Sequence, residues 1–363
     1  MSPFGSLPDS ELLDFIHYHH ILDANPDNVR PSSLDLTLSP EIYRVRGVFL
    51  PQPKEYIRDL LPLIDAREHD FRYPLEKHVT YLVKLDESLD LPPEIYGFCN
   101  PRSSTGRNDL LVRILADGVN RYDTIPAGYQ GQLWAVISPQ SYPVLLDAGY
   151  TLSQLRLFED QSRVPEEDLA SLTDDHKLLW KKRCPLRFDQ MSLRDHDGSH
   201  LLSVNLTGDI AGWECLGTDR VLDFGQNGAH EAEEFFTPLT QHSHGLTLRK
   251  GGFYILKTKE NVRIPPHIAC EMRPMDERSG EFRAHYAGFI DPGWGYGHDG
   301  EGKGRSLVLE IRPFEDLIIR DNQPVAKIYF DYMTRSPEYG YDQLSASHYT
   351  NDFSAPKLSR HFR

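Results

Sequence analysis

The stretch Asn100–Arg107, NPRSSTGR, crowds two arginines and three hydroxyls into eight residues of an acidic chain. Guanidinium forks and hydroxyls both donate hydrogen bonds, so Arg102, Ser103, Ser104 and Arg107 suit phosphate oxygens. The competing reading is a solvated turn, because Pro101 and Gly106 punctuate the segment. A second place for chemistry is RSLVLEIRPF (305–314). Strand alternation puts Leu307, Leu309 and Ile311 on one face and Ser306, Val308, Glu310 and Arg312 on the other. Glu310 is then a mid-strand carboxylate with apolar neighbours. Partial desolvation would raise its proton affinity and fit it for general acid–base work; the plainer use is a salt bridge. In HYAGFIDPGWGYG (285–297), Asp291-Pro-Gly is a turn signal. Backbone can approach a ligand there and Asp291 can accept from a sugar hydroxyl, or the segment simply turns a hairpin.

Other signals carry less. GHDGEGKG (297–304) nearly fits a phosphate loop, but Gly304 replaces the Ser/Thr that would hold magnesium, and a hairpin loop is expected. HYHH (17–20) and HSH (242–244) have no spacing to further metal ligands. The four cysteines, 99, 184, 215 and 270, form no Cys-x-x-Cys pair, so neither a zinc site nor a disulfide framework is signalled.

The elements that must position these groups are mostly strands. HVTYLVKL (78–85), GGFYILKT (251–258) and AKIYFDYM (326–333) alternate or run apolar, between turns rich in Pro, Gly, Asn and Asp. An all-β sandwich or barrel is expected. Asp9 or Ser10 can cap a helix through ELLDFIHYHHIL. The polar segment 162–183 opens on Pro165 and acids and closes on a basic cluster, as a helix dipole prefers, and is read as a connecting helix. Sliding the chain by 173 residues lays LEKHVTYLVKLDESLDLPPEI (75–95) on LRKGGFYILKTKENVRIPPHI (248–268) with eight of 21 positions identical. ISPQSYPVLLDAG (137–149) likewise matches IRPFEDLIIRDNQ (311–323), and SSLDLTL (32–38) is set against LLSVNLT (201–207). The chain therefore reads as two copies of one β-domain: residues 1–161, a helical linker 162–185, and residues 186–363.

The net charge of -15 opposes broad contact with nucleic acid or an anionic membrane surface, while leaving room for a local basic site. No signal peptide or membrane span is read, and a cytoplasmic location is expected.

Arg102-Ser103-Ser104-x-x-Arg107 resembles the Arg-Ser-Ser-x-x-Arg motif of dCTP deaminases, members of the dUTPase-like superfamily. FIDPGW followed by VLEI resembles the family's turn and catalytic-glutamate strand. RPSSLDLTL (30–38) resembles its early strand, and HYTNDFSAPKLSRHF (348–362) its closing tail. The resemblance is to a long two-domain bacterial form. It implies an all-β fold of two tandem dUTPase-like distorted β-barrels of jelly-roll type, a homotrimer or a multiple of it, and hydrolysis of dCTP to dUTP and ammonia. By resemblance Glu310 takes a proton from the attacking water, and Ser103 and Arg107 orient that water and the pyrimidine edge. Arg102 and Ser104 reach the phosphates and Asp291 the sugar; Trp294, Arg273, Arg278 and Tyr349 complete the substrate-binding set. Mg2+ would ride on the triphosphate, with no zinc, since His-x-Glu and Pro-Cys-x-x-Cys are absent. Neighbouring activities are dUTP diphosphatase, a bifunctional deaminase–diphosphatase, and non-catalytic dNTP binding.

The motifs are split between the copies. The first has Val136 where the second has Glu310, and the second lacks both serines, retaining Arg273 and Arg278. One composite site is one arrangement. Separate sites would need Asp123 as base in the first copy, or Arg273, Arg278 or Glu277 in place of the hydroxyls in the second. Asp352 stands near where the family usually has Gln.

Overall fold

Alternating β-branched and aromatic residues make strands of most of this chain, and a computed structural model shows how they pair. It describes residues 4–191, 193–240, 245–284, 288–344 and 355–363, apart from the side chains of 277, 283 and 284. Two units emerge. The first comprises Asp9–Asp160, Leu216–Phe235 and Ser359–Arg363; the second comprises Met1–Pro8, Gln161–Cys215 and Phe236–Leu358.

The first unit opens with α1 (Asp9–His17), shorter than expected because the chain leaves the helix through His19 at φ 62°. Its main strands are β1 (Ser33–Val45), β2 (Arg67–Glu68), β3 (Thr80–Asp90), β4 (Ile95–Pro101), β5 (Leu110–Ala116), β6 (Thr124–Ile125), β7 (Gln130–Pro139) and β8 (Thr151–Glu159). Between β4 and β5 lies one helical turn, α2 (Ser103–Gly106). One sheet runs β5-β7-β3-β1-β8-β4-β6. The thirteen-residue β1 makes this possible. Leu34–Thr37 pair with β8, Ile42–Val45 pair with β3, and an irregularity between Leu38 and Ile42 turns the strand from one neighbour to the other.

The second unit begins with α3 (Glu166–His176), which buries Leu169 and Leu172 in that unit's core and ends at Lys177 in the left-handed region. Then come β9 (His200–Ser203), β10 (Gly212–Cys215), β11 (Phe236–Leu239), β12 (Tyr254–Val262), β13 (Ile268–Pro274), β14 (Phe282–Ala284), β15 (Phe289–Ile290), β16 (Arg305–Pro313) and β17 (Pro324–Tyr332). They form two sheets, β14-β16-β12-β10-β11 and β9-β17-β13-β15. The counterpart of β1 is broken here into β9 and β10, and Gly208 at φ 114° lies in the gap.

Register shows the repeat directly. Tyr81 faces Ile137, and Tyr254 faces Ile311. Each tyrosine hydroxyl accepts a backbone N–H five residues earlier, from Glu76 at 3.0 Å and Arg249 at 2.8 Å. A buried carboxylate then clamps the neighbouring strand: Glu87 accepts the Thr37 N–H at 2.9 Å, and Glu260 accepts the Ser203 N–H at 2.7 Å. This clamp corrects one sequence match. Asp35 lies opposite Gln154, and Leu201 opposite Lys327, so Asp35 corresponds to Leu201 and SSLDLTL slides three residues from the match given above. Short apolar strands match in several registers; the carboxylate selects one.

Burial pushes the Glu87 carboxyl up to about 7 from 4.5, against its hydrogen bonds from Thr37. The folded state thus holds a proton that the unfolded chain releases above pH 4.5. This stabilisation is complete below that pH and is lost as pH rises towards 7. Replacing Glu87 by Gln should flatten the decline in urea midpoint between pH 4.5 and 7, by roughly 3 kcal/mol in total.

Candidate active site

Two sets of side chains stand out, one in each unit. In the first unit β4 delivers the chain into α2. The Thr105 and Gly106 N–H groups close onto the Arg102 carbonyl at 2.9 and 3.1 Å, and the Thr105 hydroxyl binds the Leu152 carbonyl at 2.9 Å. The turn leaves Ser103 exposed and Ser104 half-buried, while Arg107 is buried. Asn108 donates to the Ser104 carbonyl at 2.8 Å, and its own carbonyl oxygen accepts from Ser359 at 2.8 Å. Arg102 meets the carboxylate of Asp35 at 3.2 Å and also bonds the Thr151 hydroxyl.

In the second unit Glu310 sits on β16 directly opposite Ile255, which lies opposite Trp213 on β10. Opposed residues share a face, so Glu310, Ile255 and Trp213 form one row across the sheet. Glu310 is 2% exposed, between Leu309 and Ile311 at 0%. The Trp213 indole donates to the Pro356 carbonyl at 2.8 Å, so part of the C-terminal segment meets that row. Asp291 is buried at the turn into Trp294, whose N–H returns to the Asp291 carbonyl at 3.2 Å. Gly293 needs its φ of 85°, and a Cβ there would lie 2.6 Å from the Gly340 Cα. Trp294 packs on Tyr341 with ring centroids 4.9 Å apart and under Arg305; its indole N–H finds no acceptor among the described residues. Arg305 pairs at 2.8 Å with Asp342, which also accepts the Gly297 N–H at 2.9 Å.

The chain matches two family models: the 2'-deoxycytidine 5'-triphosphate deaminase N-terminal domain over residues 3–161 and its C-terminal domain over residues 167–362. The chain belongs to the dCTP deaminase family. A crystal structure of 2'-deoxycytidine 5'-triphosphate deaminase from Agrobacterium tumefaciens superposes with a TM-score of 0.83 at 33% identity, covering 93% of this chain and 100% of that one. A dCTP deaminase of Metallosphaera sedula is 29% identical over 145 residues, which is 39% of this chain and 78% of that protein. The all-β fold agrees with the fold class expected from sequence.

Within this deaminase the two copies carry different residues at equivalent positions. Val136 lies opposite Leu82 and Glu310 opposite Ile255, so valine occupies the glutamate position. Ile125 faces Gly97 and Ile290 faces Cys270, which makes Pro126 the counterpart of Asp291 and Gly288 that of Asp123. Asp123, expected as a base for a first-copy site, thus lies at neither the Glu310 nor the Asp291 position. Its carboxylate accepts the Ile114 N–H at 2.8 Å, and burial pushes it up to about 7.

The second-unit loop has changed sign. Asn100 pairs with Gln154 and Arg273 with Lys327, so Met275 takes the place of Arg102, Asp276 that of Ser103 and Arg278 that of Thr105. Arg273 and Arg278 are thus not counterparts of Arg102 and Arg107. Arg273 pairs with Glu271 at 2.8 Å, and Arg278 with Asp276 at 2.6 Å. Lys327 gathers Asp195, Asp197 and Asp276. Burial opposes ionisation of Asp197, yet hydrogen bonds from Ser199, Tyr329 and Lys327 hold it down at about 2. Tyr349, Asp352 and His242–His244 lie outside the described residues, as does the Glu277 side chain.

The Val136 face of the first unit is dry. Val136, Leu82, Trp134, Leu115 and Val45 join Ile57 and Ile64 in one apolar cluster, with Leu61 and Tyr122 packed against it. Ile57, Leu61 and Ile64 come from a 3-10 helix, Ile57–Ile64, in the loop between β1 and β2. Sequence reading missed this cover, although the run IRDLLPLI offered a signal. The corresponding loop of the second copy, 216–235, packs in the first unit, where Val144–Leu145 pairs with Leu222–Asp223. A carboxylate at position 136 would lose its water among apolar groups. Val136→Glu should cost roughly 3 kcal/mol or more, read as a lowered urea midpoint, whereas Val136→Ile should cost under about 1.5 kcal/mol.

Proposed function

We propose that this chain deaminates dCTP to dUTP and ammonia with Glu310 as the proton-transfer group. Deamination of dCTP is the activity of the family to which the chain belongs. The observation that carries the residue assignment is a carboxylate in mid-strand, 2% exposed, where the other copy has valine. Burial of this kind favours a carboxyl group that exchanges a proton during turnover.

In the proposed sequence, Glu310 takes a proton from water as its oxygen bonds to C4 of the cytosine. The tetrahedral adduct then collapses. The proton passes from Glu310 to the 4-amino nitrogen, the C4–N bond breaks and ammonia leaves, and the hydrogen left on the C4 hydroxyl moves to N3 as C4 becomes the carbonyl of uracil. For the first unit's loop, taken by itself, Ser103 and Arg107 are proposed as donors to a bound nucleotide. Arg102 and Ser104 would bind phosphate oxygens, and Asp291 and Trp294 the sugar side. The Arg102 guanidinium and the Ser103 and Ser104 hydroxyls on this loop are of the types that bind phosphate oxygens. Arg273 and Arg278 are already held by acids and are left as supports of the second-unit loop. The substrate is proposed to be the Mg2+ complex of dCTP, the assembly a homotrimer or a multiple of it, and the location cytoplasmic. No described helix is long and apolar enough to cross a membrane.

Incubation with dCTP and Mg2+ should yield ammonia and dUTP in equal amounts, without pyrophosphate. Glu310→Gln keeps the shape and removes the base, so kcat should fall by about 10²- to 10⁴-fold while the urea midpoint stays near wild type. Undiminished ammonia release from that variant would remove Glu310 from the mechanism. Pyrophosphate alongside ammonia would establish a bifunctional enzyme.

A further inference from the structure

The strand β1 carries one charged residue into the interior of the first unit. Asp35 is 0% exposed, and its two oxygens have different partners. Oδ2 accepts from Arg30 Nε at 2.9 Å and faces Arg102 Nη1 at 3.2 Å; Oδ1 accepts from Gln154 Nε2 at 3.1 Å. A buried carboxylate is costly unless paired, and here one carboxylate is shared by two guanidinium groups. The trio keeps a net charge of +1. Arg30 and Arg102 retain 34% and 26% of their side-chain exposure, so each reaches solvent while its inner edge is tied down.

We infer that Asp35 is a positioning residue and Arg30 a second guanidinium of an anion anchor that, with Arg102, receives the triphosphate of the substrate. This rests on the reading above that the α2 loop binds phosphate. Holding both arginines by a common buried acid sets their planes before the ligand arrives, which reduces the ordering cost of binding. The second copy supplies an internal control. There Leu201 replaces Asp35, Lys327 replaces Gln154 and Met275 replaces Arg102, while His196, at the position of Arg30, is bound to Glu166 at 2.9 Å. The whole set is gone where the loop has become acidic, as expected of parts that act together on an anion.

The test uses the full-length enzyme with Arg30→Gln and Asp35→Asn. Steady-state kinetics on dCTP are combined with calorimetric binding of inorganic tripolyphosphate. Each variant should raise KM by roughly tenfold or more while kcat stays within about threefold, and tripolyphosphate affinity should weaken in parallel. Arg30 is partly exposed, so Arg30→Gln should unfold near the wild-type temperature and carries the test if Asp35→Asn fails to fold. Unchanged KM and tripolyphosphate affinity in Arg30→Gln would overturn the inference, as would a fall in kcat at constant KM. If the wild-type enzyme releases no ammonia from dCTP, the proposed function fails, and the tripolyphosphate titration still decides the anchor.

Discussion

Cross-strand register is the constraint on which the site depends. Successive strand residues point to opposite faces, so a slip of one residue would carry Glu310 from its row with Ile255 and Trp213 into the core face held by Leu309 and Ile311. The Leu307 N–H of β16 donates to the Thr258 hydroxyl of β12 at 2.9 Å and resists that slip, and two further polar devices recur in both copies. A tyrosine hydroxyl accepts a backbone N–H at one end of the central strand, and a buried glutamate grips the adjoining strand at the other. The glutamate's grip is satisfied only in one register of the two strands it joins. Because both copies have the same devices, residues can be equated between them by hydrogen bonding rather than by likeness of sequence.

Equated in this way, the copies show a division of chemistry. The first holds cations and hydroxyls on α2, with two arginines on one buried acid, and an apolar cluster where its sister has a carboxylate. The second holds the mid-strand glutamate and the Asp291 turn, with its loop built around Lys327 and three acids. Anion recognition and proton transfer make opposite demands. The former wants fixed positive charge near the surface; the latter wants a carboxyl shielded from water.

Much of this was legible in the sequence. Strand segments, the repeat, the all-β fold class and the family followed from alternation, turn residues and four short motifs. Glu310 was legible because a carboxylate among Leu, Val and Ile is conspicuous. Other features were not, for physical reasons. Ile57, Leu61 and Ile64 looked like an ordinary apolar segment, since nothing local says which face such a segment covers. Asp35 was visible as a charge in a strand, but its tie to Arg102 spans 67 positions of sequence, and only the pairing of β1, β8 and β4 brings them together. The helix at 166–176 proved shorter than the 162–183 segment because Lys177 adopts the left-handed region.

The path of the chain has a consequence for dissecting the protein. Leu222, Phe224 and Phe235 are buried in the first unit, and the last five residues belong to it as well. That unit is therefore not complete when residue 160 has been made; it waits for parts encoded after most of its sister. The two copies are interleaved in the gene, and a cut between them would give fragments that each lack material the other carries. The repeat in the sequence and the two units of the structure therefore do not divide the chain at the same place.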